Sequence, residues 1–277
     1  MQNQTSPLIL TFGAADPVGA VGIQADLASF AAMGCHGLSV ITALLLADTT
    51  RVEDIQIIDA DCVADQARIL LEDMPVAAFK IGYLGSAENV SVIAEIVSDY
   101  PDIPLVLDPF SSAIPDGGPD HEDVQSATRE LLIPQSTLLL LSSVELARLS
   151  ESWLDPSAAQ DALEDATRLI DLGCEYMLVT GVDGNVHEII NRLYDESGLA
   201  RQDAWPRQPG LYSGAGNTLS ATIAAMLANG LEVPAAVLEA QEFTAAALAH
   251  AQRLGMGRLV PDRYFWAREQ TQSAAAP

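Results

Sequence analysis

The chain has 277 residues, 49% of them hydrophobic, which is enough to bury a sizeable core in one large α/β domain and too apolar for a disordered state. Acidic residues outnumber basic ones 38 to 13 for a formal net charge of −25, which sets the chain against nucleic acid and anionic membrane surfaces as partners. There is no run of about 18 uninterrupted apolar residues and no basic-then-apolar leader in the first residues, so a cytoplasmic protein is expected.

Leu8–Phe12 is a short apolar run before a Gly13–Pro17 turn and reads as a buried first strand. Ile23, Leu27, Phe30 and Ala31 recur at helical spacing up to Met33, and Gly34 closes that helix. Leu38–Thr42 reads as a strand, Ala60–Met74 as a helix, Ala77–Ile81 as a strand, Ala87–Asp99 as a helix and Leu105–Asp108 as a strand. Thr137–Leu141 and Tyr176–Thr180 continue the alternation, Gly184–Pro206 looks like a hairpin with His187–Tyr194 as one arm, and two helices finish the chain. Short strands apolar on both faces, alternating with helices, predict an α/β fold. Its sheet is doubly wound and mostly parallel, flanked by helices on both faces, with ligands at the carboxyl ends of the strands. No linker or internal repeat divides the chain, so a single domain over 1–270 is expected, with 271–277 a flexible tail.

The stretch Tyr212–Gly230 is a small-residue turn leading into an apolar helix. Gly214 and Gly216 leave backbone N–H groups uncovered at a helix start, where unpaired donors and a partial positive charge suit an anion, and Asn217 would point into the same space. The plainer reading is that Ser213 or Asn217 caps a core helix. Cys35, Cys62 and Cys174 are far apart and form no C-x-x-C pair, which argues against a disulfide framework or a zinc site. His36, His121, His187 and His250 have no partner at metal-ligand spacing.

Gly13-Ala-Ala-Asp16-Pro17-Val-Gly19-Ala-Val-Gly22-Ile-Gln-Ala-Asp26-Leu, Gly37–Ala43, Lys80-Ile-Gly-Tyr-Leu-Gly85, Leu107-Asp-Pro109 and Gly214-x-Gly-x-Thr-Leu-Ser-Ala221 stand in the order seen in hydroxymethylpyrimidine/phosphomethylpyrimidine kinases. The chain resembles that family, a branch of the ribokinase-like superfamily, from about Leu8 to Leu259. The resemblance implies MgATP-dependent phosphorylation of the hydroxymethyl group of an aminopyrimidine, and then of its phosphate, in thiamine diphosphate synthesis. It implies ATP and Mg²⁺ as cofactors and a homodimer. It makes Gly214, Ala215 and Gly216 an anion hole for the transferring phosphate, with Asn217 at the position of the catalytic base. Asp108 and Glu145 match family carboxylates near the metal and the phosphates, and Thr180 occupies a nucleotide-phosphate position. Gly22, Asp26, Ala47, Tyr83 and Phe110 fall on the pyrimidine side.

Several of these positions depart from the family pattern. Asn217 stands where the family carries cysteine and the wider superfamily aspartate; a neutral amide is no general base, and loss of such a group costs about 10²–10⁴-fold in rate. Ser142 replaces the asparagine of the family's N-x-x-E motif, and Thr180 replaces a lysine that reaches the nucleotide phosphates. Ala47 replaces a glutamine that bonds the ring, Tyr83 a methionine and Phe110 a valine. Two readings stay open at this point. One is a kinase of the hydroxymethylpyrimidine type with an altered pocket; the other is a relative that has lost phosphoryl transfer and binds a pyrimidine-like molecule as a sensor or partner subunit.

Overall fold

The computed structural model describes residues 6–110, 121–151 and 162–267. The strands are β1 (Leu8–Ala15), β2 (His36–Ala47), β3 (Val52–Ile57), β4 (Ala78–Ile81), β5 (Leu105–Leu107), β6 (Leu138–Ser142), β7 (Tyr176–Gly184), β8 (Glu188–Asp195) and β9 (Gly198–Pro206). They form one sheet in the order β3-β2-β1-β4-β5-β6-β7-β8-β9. The six strands from β2 to β7 in that order pair in parallel, and β3, β8 and β9 are antiparallel additions at the two edges. The mostly parallel, doubly wound sheet expected from the alternation is therefore present.

Side chains alternate strictly across the buried strands, as the pleat requires. Leu10, Phe12, Phe79, Ile81, Leu105, Leu107, Leu139 and Leu141 face one helical layer, built from α2 (Ala60–Asp73), α3 (Ala87–Ser98), α5 (Ser143–Glu151) and α6 (Ala162–Asp171), the short α4 being His121–Ala127. Ile9, Ala78, Val106, Leu138 and Leu140 face the other, built from α1 (Gly22–Ala32), α7 (Ala215–Ala228) and α8 (Val233–Ala249). Local chemistry fixes the helix starts. The Asp59 carboxylate accepts from the Asp61 N–H at 3.1 Å ahead of α2, and the Ser86 hydroxyl accepts from the Asn89 N–H at 3.2 Å ahead of α3.

Two elements differ from expectation. Val52–Ile57 is a strand, although its side chains are half-buried or exposed throughout and offer no apolar run to read. The second strand runs to Ala47, well past Thr42, because β3 pairs along its extension. The tail expected over 271–277 lies outside the described residues. Among the described residues no helix is long and apolar enough to cross a membrane.

Candidate active site

The strand order reverses between β1 and β4. The chain first adds β2 on one side of β1 and then proceeds from β4 on the other, and the crevice at such a reversal is where open α/β sheets bind ligands. A narrow cleft opens there, with a cavity volume of about 10 Å³. Its walls are Ala14 at the end of β1, Val21 and Gly22 at the start of α1, Leu45 on the β2 extension, Tyr83 after β4, Asp108 and Phe110 after β5, and Asn217 in the first turn of α7.

The β1–α1 loop is folded around Asp16. Its carboxylate accepts the N–H groups of Val18, Ala20 and Val21, each at 2.9 Å, which rolls the backbone over the cleft rim. Gly22 then has φ +60°, and a Cβ there would stand 2.1 Å from the Ala14 carbonyl oxygen, so only glycine fits.

On the facing side, Gly214 is the N-cap of α7 at φ 91°, and no side chain caps this helix. The Thr218 N–H closes the first helical bond onto the Gly214 carbonyl. The N–H groups of Ala215, Gly216 and Asn217 have no acceptor among the described residues and sit at the positive end of the helix dipole. A Cβ on Gly216 would meet nothing within 4 Å, so the side of the turn at that residue is open. The capping role considered for Ser213 or Asn217 is not what the structure has.

Asp108 is 6% exposed, and its Oδ2 accepts from the Ser220 hydroxyl of α7 at 2.7 Å. Burial pushes its carboxyl up to about 6, against the pull of Lys80 and the Ser220 hydrogen bond, and Glu145 and Asp26 raise it further. Glu145 lies one strand along. Its Oε2 accepts from the Ser142 N–H at 2.7 Å while the Ser142 hydroxyl accepts from the Glu145 N–H at 3.2 Å, a reciprocal capping box. Ser142 thus keeps the helix-capping half of what an asparagine could do there. Mg²⁺ is commonly held by one or two carboxylates completed by waters and substrate phosphates. Asp108 and Glu145 fit that pattern, and no group of three or more His, Cys, Asp or Glu side chains suited to a metal occurs among the described residues.

Of the residues singled out by sequence, Gly22, Tyr83, Phe110, Asp108 and Asn217 come together in the cleft wall. Gly214, Ala215 and Gly216 form the turn behind Asn217. Thr180 ends up beside Ser142, the capping partner of Glu145, in the β6–β7 register. Ala47, at the end of β2, packs against the apolar cluster that contains the cleft residues Ala14, Val21 and Leu45 and is not itself among the residues that line the cleft. Asp26 lies beneath the surface at 0% exposure, its Oδ2 accepting from the Thr11 hydroxyl at 2.8 Å and ion-paired at 3.1 Å with Lys80, the chain's single lysine. This buried pair ties α1 to β4 underneath the site. Sequence reasoning missed Val21 and Leu45, which are unremarkable apolar residues, and gave no role to Asp16 or Arg263. Among the described residues, no cationic side chain lines the cleft.

A model of the family described as phosphomethylpyrimidine kinase matches residues 16–262. The hydroxymethylpyrimidine/phosphomethylpyrimidine kinase of Streptomyces coelicolor is 32% identical over 274 residues, covering 95% of this chain and 96% of the relative. The enzyme of the same name from Escherichia coli is 33% identical over 262 residues, covering 93% and 97%. Among solved structures, an ADP complex of Bacillus subtilis pyridoxal kinase superposes with a TM-score of 0.80 at 25% identity, over 94% of this chain and 98% of that one.

Proposed function

The chain belongs to the phosphomethylpyrimidine kinase family, and we propose that it transfers a phosphoryl group from ATP to hydroxymethylpyrimidine and to its monophosphate in thiamine diphosphate synthesis. The observation that carries this reading is the row of unpaired N–H groups at Ala215, Gly216 and Asn217, the last of which lines the same cleft as Asp108. Phosphoryl transfer asks a protein mainly for positioning and charge stabilisation, and both are built here from backbone donors and a helix start. The named relatives are kinases, and nothing in them favours a chain that only binds.

Roles follow from position. Gly214 shapes the turn, and the N–H groups of Ala215, Gly216 and Asn217 donate to the oxygens of the phosphoryl group in flight. Asp108 and Glu145 would hold Mg²⁺, which supplies neutralising charge on the phosphates when bound. Tyr83 and Phe110 offer the ring aromatic surface beside the apolar Val21 and Leu45, where the family pattern has methionine and valine at the first two positions. The Asn217 amide orients the substrate hydroxyl without taking its proton.

The reading includes a cytoplasmic location, supported by three free cysteines, and a homodimer, supported by Ile41, Leu44, Leu46 and Ile57 standing exposed on β2 and β3. It also takes 1–270 as a single domain, supported by the nine strands among the described residues joining one sheet. The deciding experiment incubates purified protein with MgATP and hydroxymethylpyrimidine and scores the mono- and diphosphate by mass. Absence of both products at saturating ATP would overturn the assignment.

A further inference from the structure

Arg263 lies on the segment that follows α8 and is 4% exposed. Its Nε donates to the Thr218 hydroxyl at 3.0 Å, Nη1 to the Gly19 carbonyl at 3.1 Å, and Nη2 to the Ala20 carbonyl at 2.7 Å and the Gly214 carbonyl at 3.5 Å. The Thr218 hydroxyl donates in turn to the Gly214 carbonyl at 2.8 Å. Gly19 and Ala20 belong to the β1–α1 loop at one cleft wall, Gly214 and Thr218 to the turn at the other. The two walls touch at this point, for a Cβ on Gly214 would stand 1.8 Å from the Ala20 oxygen and 2.9 Å from Nη2. A single planar fork therefore closes the seam between the loop over the substrate and the turn under the phosphate.

All four acceptors are neutral, and no carboxylate stands within ion-pair distance of this guanidinium among the described residues. A buried charge without a counter-ion is costly, so it persists where something else compensates it. Burial brings the group down to about 10, with Asp26, Tyr264 and Asp16 holding it up, so it stays charged at neutral pH. The unpaired donors of Ala215, Gly216 and Asn217 lie just beyond Gly214. The family's lysine is absent at Thr180, and Lys80 is already neutralised by Asp26. Asp26 and Asp16 act on it only from beyond ion-pair contact, and an anion in the turn would add to their compensation.

We propose that Arg263 is the positioning residue of the phosphoryl-binding turn, locking Gly214 against the β1–α1 loop and lending the turn the positive charge that the cleft wall lacks. The proposal rests on the kinase reading of the cleft, and its role is exerted through the backbone of Gly214 and Thr218.

Wild type, Arg263→Lys, Arg263→Met and Thr218→Val are compared in two assays: phosphorylation of hydroxymethylpyrimidine by MgATP, and the rise in melting temperature with inorganic phosphate. Arg263→Met should lower kcat about 100-fold, as loss of a preorganised anion-stabilising group does, with KM for the pyrimidine within about threefold. It should also abolish the phosphate-induced rise. Arg263→Lys keeps the charge and should recover at least about a tenth of the wild-type kcat together with the phosphate response. If Arg263→Met does not fold, Thr218→Val decides, because it removes the Nε acceptor and the link to Gly214 while keeping volume; its kcat should fall about fivefold, with a weaker phosphate response. A folded Arg263→Met, or Thr218→Val in its place, with unchanged kcat and a full phosphate response would overturn the proposal and leave the kinase reading standing. A wild type that makes no phosphorylated product would overturn the kinase reading instead, and the phosphate assay alone would then decide on Arg263: loss of the response in the variants supports the role and its retention refutes it.

Discussion

Asp108 carries a pH dependence whose sign follows from its burial. Its carboxyl is raised from 3.8 to about 6, so between those values the folded chain keeps a proton that the unfolded chain has lost. Stability from this group is complete below 3.8, falls as pH rises through the window and levels off above about 6. Asp108→Asn should therefore leave stability unchanged near pH 4 and raise it at pH 8, by at most about 3 kcal/mol at about 1.4 kcal/mol per pH unit. Denaturant titrations at the two pH values check the difference, and the same variant should lose its Mg²⁺-dependent turnover. Asn217→Asp tests the neighbouring wall: a carboxylate at that helix start can take the proton of the substrate hydroxyl, and kcat should rise at least about tenfold. A wild type already turning over at the ~1–100 s⁻¹ usual for kinases would show that no base is missing. Asp108, Asn217 and the glycines were legible in the sequence because each sits within a short local motif. Arg263 was not, because its acceptors lie up to 244 positions away and nothing local marks an arginine that bonds to carbonyls.

The N-terminal turn of α7 separates two uses of glycine. At Gly214 the backbone is left-handed at φ +91° and a Cβ would strike the Ala20 carbonyl, so Gly214→Ala should destabilise the fold and spoil the turn together. At Gly216 nothing stands within 4 Å, so Gly216→Ala should leave the melting temperature unchanged or raised, since alanine is up to about 1 kcal/mol better in a helix. If the turn holds a phosphate as proposed, a methyl group added among its donors should hinder the approach, and KM for MgATP should rise. Thermal melts and steady-state kinetics on the pair distinguish the two, and a Gly216→Ala enzyme with unaltered KM would argue that no phosphate approaches there. Helices and buried strands could be read from sequence because their apolar residues repeat with the period of the element. β3 could not, because Val52–Ile57 is polar on most of its surface and becomes a strand only by pairing with the β2 extension.

The whole molecule repels itself. With a formal charge of −25 and ion pairs such as Arg51–Glu53 and Arg68–Glu95 largely exposed, screening should relieve more repulsion than it removes attraction. Melting temperature should rise from low to molar KCl, and a flat or falling midpoint would contradict this. The alternation of strands and helices made the sheet class legible at this scale. The side of β1 on which β4 pairs, and so the location of the crevice, comes from long-range packing that no local pattern encodes. The fully buried Lys80 has a practical corollary: it holds the only side-chain primary amine in the sequence, sealed beneath the sheet's reversal point by Asp26. Amine-directed acylating reagents should leave it untouched in the native state and mark it only when β4 and α1 come apart. Its rate of modification, followed by mass spectrometry, would then report cooperative opening of the core through a single native atom, with no dye or engineered tag.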